Sequence, residues 1–246
     1  MHSLGELAEE TATYLLPRPA FETIERDGLV YIAGTRGANV YRVRASDPAW
    51  VREESLRRGI KEIEWWVGWS APTSIADELL AQGLVVDDVP VLVGMTCDVE
   101  PPVVPHVEVR RIEKLEEQLE ALEVDWDAWQ IDEQERVGRR DWEREWFETI
   151  LESGVVHHWV ARVDGAPVGF ARAIDMHGAV ALMGGAVLPE ARGNGVYRAL
   201  VRARWEHALA RDTPVLVVQA GNMSAPVLDG LGFQRHGEIR LFVDRL

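Results

Sequence analysis

Cysteine is nearly missing from this chain: Cys97 stands alone among 246 residues. One thiol excludes an intramolecular disulfide framework and any cysteine-rich metal site, and no metal is expected. Lysine is almost as scarce, with only Lys61 and Lys114, so arginine supplies nearly all the positive charge. Long apolar runs are lacking too, and none approaches the roughly 20 residues that span a bilayer. Basic residues are outnumbered, 26 against 41 acids, for a net charge of −15. That balance argues against nucleic acid as a general partner. The stretch "MHSLGELAEETATYLLPRP" has acids where a secretory leader has bases, so a cytoplasmic location is expected.

What is present is a chain 47% hydrophobic, enough for one large core or two small ones. The charge is uneven. Residues 153–246 hold ten arginines against eight acids, a net +2, so the residues before them carry −17. The clearest break is "DVEPPVVPHVEV" (98–109), whose prolines disfavour both continuous helix and central strand. The expected division is a first domain over 1–100, a linker at 101–108 and a second domain over 109–246.

After the break the patterning predicts strands at 155–163, 167–174 and 179–188, with Asp164-Gly165 as a hairpin turn. Val196, Ala199, Leu200 and Ala203 follow at helical spacing. A strand at 214–220, a short helix at 224–231 capped by Ser224 and a final strand complete the order β-β-β-α-β-α-β. The first half repeats its later part. Strands are expected at 29–34, 41–45, 63–69 and 89–95, with a turn from Thr35 to Asn39. Helices are expected at 47–59, with Asp47 as cap and Pro48 in its first turn, and at 74–83, with Ser74 as cap.

The segment "AVLPEARGNGVYRAL" concentrates the chemistry. Pro189 stops a strand, and Gly193 and Gly195 turn the backbone tightly into a helix. The unpaired N–H groups of a first helical turn, with the positive end of the helix dipole, attract anions. Arg192 adds a fixed charge beside them, which suits a phosphate or pyrophosphate. No Gly-Lys-Ser/Thr follows, so this is not a P-loop, and the dinucleotide fingerprint lacks its third glycine. The look-alike string "RGANVYRVRA" at Arg36 sits on a hairpin turn and is not a second copy of the site.

Val187-x-Pro189, Arg192-Gly-x-Gly195, the helix, strand and short helix that follow, and Leu231-Gly232-Phe233 resemble the GNAT acetyltransferase superfamily over residues 155–245. The first half resembles a degenerate copy without the phosphate loop. The resemblance implies an α/β (α+β) fold of acyl-CoA N-acyltransferase type: a mixed, mostly antiparallel sheet flanked by helices, in tandem. It implies acetyl-CoA as acyl donor, with its pyrophosphate on Arg192, Gly193, Asn194, Gly195, Val196 and Tyr197. Its pantetheine would lie on the backbone of Gly185, Ala186 and Val187, with Gly184-Gly185 as a bulge, and Asn222 is a further contact one residue out of step. Three departures accompany the likeness. Tyr197 replaces a small loop residue, Leu228 stands where many members place a tyrosine acid, and residues 179–188 carry no acid or histidine that would serve as base.

His157, His158, Asp175 and His177 are the remaining acid–base candidates, His157 and His158 on one strand and Asp175 and His177 beside a turn. Trp142, Trp146 and Ile150 form a helical stripe that reads as core. Trp126 and Trp129, among acids, offer either core packing or an aromatic lip for a cationic amine. Trp65, Trp66 and Trp69 bury one face of a strand, or form a dimer surface. The leading expectation is an N-acetyltransferase acting on a small-molecule amine, and the rival is a non-catalytic acyl-CoA-binding module with a sensor or regulatory role.

Overall fold

Tight turns decide much of the strand pairing. Asp164 and Gly165 both take positive φ, 50° and 82°, as a two-residue hairpin turn requires, so Val163 pairs with Ala166. The computed structural model describes residues 2–34, 37–87 and 91–246. Thr35 and Arg36 of the expected turn, and Val89 and Pro90 of the expected strand, lie outside the described residues. The chain divides into two units: Met1–Tyr14, Ala20–Thr96 and Val218–Leu246 form the first, Leu15–Pro19 and Cys97–Val217 the second.

The first unit begins with α1 (Leu4–Glu9), β1 (Glu22–Arg26), β2 (Leu29–Ala33) and β3 (Ala38–Tyr41). It continues with α2 (Pro48–Arg57), β4 (Glu62–Val67), α3 (Ile75–Ala81), β5 (Val85–Val86) and β6 (Leu92–Cys97). The second unit holds β7 (Glu108–Arg111), α4 (Leu115–Ala128), α5 (Glu133–Ser153), β8 (Val156–Val163), β9 (Ala166–Met176) and β10 (Ala179–Val187). Then come α6 (Val196–Ala210) and β11 (Leu216–Ala220), whose first two residues pair with β10. The chain ends in α7 (Ala225–Asp229) and β12 (Gln234–Arg245), which belong to the first unit.

In the first unit β1, β2 and β3 are antiparallel neighbours and β3 runs parallel to β4. β12 pairs antiparallel with β4 and with β6, so the last strand of the chain completes the first sheet. This departs from the expected linear division, because residues 218–246 group with the first half. The core gathers Leu29, Tyr31, Val40, Ile63, Trp65, Ile75, Leu79 and Phe242. Burying each such side chain contributes about 1.5–3 kcal/mol. Asp47 caps α2 through the Trp50 N–H at 3.2 Å, as expected. Ser74 occupies the cap position of α3 without a capping bond.

Two first-half expectations change. The strand expected at 41–45 ends at Tyr41, because Arg42 turns to φ 49° and binds Glu10 and Thr13. Alternation with arginine imitated strand period where the arginines serve ion pairs. Trp65 is fully buried, and the Trp66 indole donates to the Asn39 amide oxygen at 2.9 Å and packs on Tyr41. Trp65 is therefore core within a single chain, which removes it from a dimer surface.

In the second unit β7, β8, β9 and β10 are antiparallel neighbours and β11 adds in parallel. Phe170 of β9 packs with Val160 under Trp126 of α4. A Cβ on the adjacent Gly169 would meet Val196 of α6 at 2.8 Å. Neighbouring strand residues face opposite sides, so α4 and α6 cover opposite faces of this sheet. Trp126 is thus core, while Trp129 at the end of α4 stays exposed. Trp142 and Trp146 stack on each other half-buried, beside buried Phe147. The expected linker is also part of this unit: Arg202 of α6 pairs with Glu100 at 2.5 Å and donates to the Pro101 carbonyl at 2.8 Å.

Candidate active site

β10 pairs with β11 only through Val180 and Ala181, while its pairing with β9 continues to Val187. Beyond Ala181 the strand therefore has β9 as its one sheet neighbour among the described residues. The register against β9 shifts between Leu182 and Gly185, and Gly184 sits at φ +85°. This is the bulge expected from Gly184-Gly185. It presents the backbone of Gly185, Ala186 and Val187 on a strand edge.

The chain then turns through Pro189–Ala191 and Arg192 to Gly193 and Gly195, at φ +81° and +78°. A side chain on Gly195 would be strained there and would meet Val104 at 3.0 Å. Gly195 caps α6 in the left-handed conformation, and among the described residues no side chain bonds the first-turn N–H groups. Four donors at the positive end of a helix dipole stay available to an anion. Arg192 is exposed, and its Nε donates to the Val187 carbonyl at 3.2 Å. The Asn194 side chain donates to Ala191, and the Asn194 carbonyl accepts from His106 at 2.8 Å. His106 and Val104 thus brace the loop from the proline segment, which reads as punctuation in sequence.

Tyr197 lies in the first turn of α6, and a Cβ on Gly185 would sit 3.1 Å from its ring. The structure so brings Gly185, Ala186, Val187, Arg192, Gly193, Asn194, Gly195, Val196 and Tyr197 onto one strand-loop-helix segment of the second unit. Asn222 is an exposed turn residue of the first unit, and Leu228, buried in α7 of the same unit, offers no proton. The Ser224 hydroxyl donates back to the Gly221 carbonyl and does not cap α7.

The acid–base candidates fall elsewhere. Asp175 is fully buried on the α6 face, bonded by His157 Nε2 at 3.0 Å and His207 Nε2 at 2.8 Å and paired with Arg211 at 2.7 Å. Burial pushes its carboxyl up, but the two imidazole bonds outweigh this and hold it below the usual range. It lies four residues along β9 from Ala171, the partner of Gly185, or about 13 Å. Neither access nor position suits it to proton transfer at the bulge.

Arg111 Nη2 lies 2.6 Å from His157 Nδ1. A guanidinium only donates, so His157 carries its proton on Nε2 and is neutral. Burial lowers the pKa of His157 and lowers that of His158 further. His158 Nε2 accepts from Arg172 Nε at 2.9 Å. Both imidazoles are buried, although neighbouring residues on a strand face opposite sides, because helices cover both faces of the sheet. His177 is exposed at the β9–β10 turn. His157, Asp175 and His207 form a three-donor cluster, yet their donor atoms already bond one another and Arg211 fills the remaining side.

Asp125 of α4 has no sequence signal beyond being one acid among many. It is half-buried, and burial raises its carboxyl pKa against the opposing influence of Arg172, of a bond from Trp129 and of Arg139. Arg172 lies on β9 between Ala171 and Ala173, which pair with Gly185 and Leu182 on either side of the bulge. In the first unit a cavity of about 670 Å³ is lined by Phe21, Glu22, Arg58, Lys61 and Glu62. Arg58 is already paired with Glu22 and Glu54.

Residues 117–233 match the model of the Acetyltransferase (GNAT) family. A GCN5-related N-acetyltransferase from Kribbella flavida is similar over 99% of this chain and 96% of its own, at 17% identity and a TM-score of 0.66. A tandem GNAT protein from the clavulanic acid biosynthesis pathway is similar over 98% of this chain and 87% of its own, at 16% identity and a TM-score of 0.61. A GCN5-related N-acetyltransferase from Sphaerobacter thermophilus covers 92% of this chain and 76% of its own, at 14% identity and a TM-score of 0.59. No curated protein matches the sequence. At such identities the structural likeness speaks for the fold. Residues 117–233 thus resemble the GNAT acetyltransferase family, and the chain shares the mixed α/β fold of GNAT proteins, a tandem example included, over nearly its whole length.

Proposed function

We propose that the protein transfers acetyl from acetyl-CoA to the amine of a small molecule, by direct attack within a ternary complex. The observation that carries this reading is the uncapped start of α6 next to a bulged, half-paired strand. The α6 N–H groups and Arg192 would hold the pyrophosphate, and the backbone of Gly185, Ala186 and Val187 would hold the pantetheine. A neutral amine adds to the thioester carbonyl, the C–N bond forms and the C–S bond breaks. Sulfur leaves with the electron pair, and the ammonium proton passes to a base or water. Asp125 is the candidate for that base, because burial raises its carboxyl and it faces Arg172, which lies on β9 at the bulge. The acid-rich first 152 residues favour a cationic acceptor.

The rival reading, a non-catalytic acyl-CoA-binding module, is favoured by one feature: β10 has no ionisable side chain from Ala179 to Val187. Calorimetry with acetyl-CoA should show binding that Arg192→Glu abolishes. No binding to the wild-type protein sinks both readings. A thiol-release screen over amines then separates them, and silence across a broad panel with binding intact supports the module.

A further inference from the structure

Arg204, two turns into α6, is 1% exposed and has no carboxylate within ion-pair distance among the described residues. A buried guanidinium without a counter-ion is costly, and an apolar side chain of similar volume would fill this helix face more cheaply. Burial accordingly lowers its pKa. What the guanidinium does here is specific. Nε donates to the Leu200 carbonyl at 3.0 Å within the helix. Nη1 donates to two sheet carbonyls, Gly184 of β10 at 3.2 Å and Arg172 of β9 at 3.3 Å.

Those two carbonyls lie where the β9–β10 register shifts, between the Leu182↔Ala173 and Gly185↔Ala171 pairs. A bulge takes backbone groups out of the ladder, and a buried carbonyl left so costs about 1–3 kcal/mol. One nitrogen of Arg204 reaches the carbonyl on each strand. The third nitrogen, Nη2, is buried beside Tyr197 and lies 3.8 Å from where a Cβ on Gly185 would stand. The guanidinium centre sits 6.0 Å from the Tyr197 ring centroid, a cation–π contact that offsets part of the cost of burial.

We propose that Arg204 is a positioning residue for the acyl donor: it pins the Gly184 bulge, which aims the free edge from Gly185 to Val187 at the pantetheine arm. This rests on the acyl-CoA reading above. It makes a prediction that a general packing role does not. The pyrophosphate end of the donor sits on the α6 N–H groups and needs no bulge, whereas the pantetheine end does.

The test compares two ligands on the full chain by calorimetry: acetyl-CoA, and 3′-phospho-ADP, which keeps the pyrophosphate and lacks the pantetheine. Arg204→Met keeps volume and removes the donors. It should weaken acetyl-CoA binding about tenfold to a hundredfold, as expected for lost charge-assisted bonds, and leave 3′-phospho-ADP within twofold. Arg204→Lys keeps the charge without the fork and should recover only part of the loss. Gly184→Ala reaches the bulge without touching α6, by straining its positive φ, and must give the same split even where the Met variant fails to fold. Equal weakening of both ligands, or no change in either, overturns the proposal. A wild-type protein that binds neither ligand overturns the acyl-CoA reading and this assignment with it. One that binds 3′-phospho-ADP as tightly as acetyl-CoA overturns the assignment alone.

Discussion

Each unit has a junction that leads from a parallel-paired strand into a helix, and the two are built in opposite ways. In the first, Arg42 to Asp47 joins β3 to α2. Asp47 accepts the Trp50 N–H, and Arg42 and Arg44 both bind the buried Glu10 carboxylate. In the second, Leu188 to Gly195 joins β10 to α6. Among the described residues no side chain caps that helix, and Arg192 donates to the Val187 carbonyl. The first junction is an anion site already filled by the chain's own carboxylates, and the second keeps its donors free. The same fold element yields a structural joint or a ligand site, depending on whether the local sequence supplies the anion.

The contrast can be broken most severely by giving α6 an anion of its own. Gly195→Asp should lower acetyl-CoA affinity about a hundredfold or more, since it sets a carboxylate at the helix start and crowds Val104. Calorimetry checks this, and undiminished affinity would remove the open junction from the binding site. Emptying the first junction should instead cost stability. Glu10→Gln leaves Arg42 and Arg44 without their shared carboxylate, for about 2 kcal/mol, a figure discounted because both arginines are about one-third exposed. Urea unfolding should show the loss with acetyl-CoA affinity unchanged.

A third difference concerns acid. His157 and His158 of the second unit have folded-state pKa values below that of an unfolded histidine. Below about pH 6.5 the unfolded chain takes up protons that the folded unit refuses, so stability is complete above that pH and falls as pH drops. The depressed Asp175 carboxyl adds a loss with the same sign at lower pH, below the ordinary carboxylate range. Urea midpoints between pH 8 and pH 5 should decline, and His158→Gln should flatten the decline. A midpoint that rises on acidification would contradict the neutral imidazoles. The smallest effect is expected from Asp47→Ala, which removes the private cap of α2 for about 1 kcal/mol and leaves acetyl-CoA binding within twofold. Thermal melts and calorimetry together check both halves of that statement.

Legibility followed range. Gly184, Gly193 and Gly195 were readable as bulge and turn because positive φ excludes most side chains, and all three take it. Asp47-Pro48 signalled the start of α2 for similarly local reasons. The run "VDWDAWQIDEQE" hid the end of α4 and the start of α5, since its acids obscure the apolar stripe. "YRVRA" misled because ion pairs with Glu10 are invisible to period counting. Nothing in the sequence sets Arg204 apart from the other arginines of α6, although it is among the most buried side chains of the molecule.

By itself, then, the sequence determined the backbone of the loop, the glycine bulge and the Asp47 cap that starts α2, because steric limits on φ and hydrogen bonds within a few residues act without any partner. Only the tertiary structure decided that β12 completes the first sheet, that Asp175 is tied to His157, His207 and Arg211, and that Arg204 reaches the bulge. Those outcomes depend on which distant groups burial brings together and on the need to satisfy every buried charge and carbonyl once they meet.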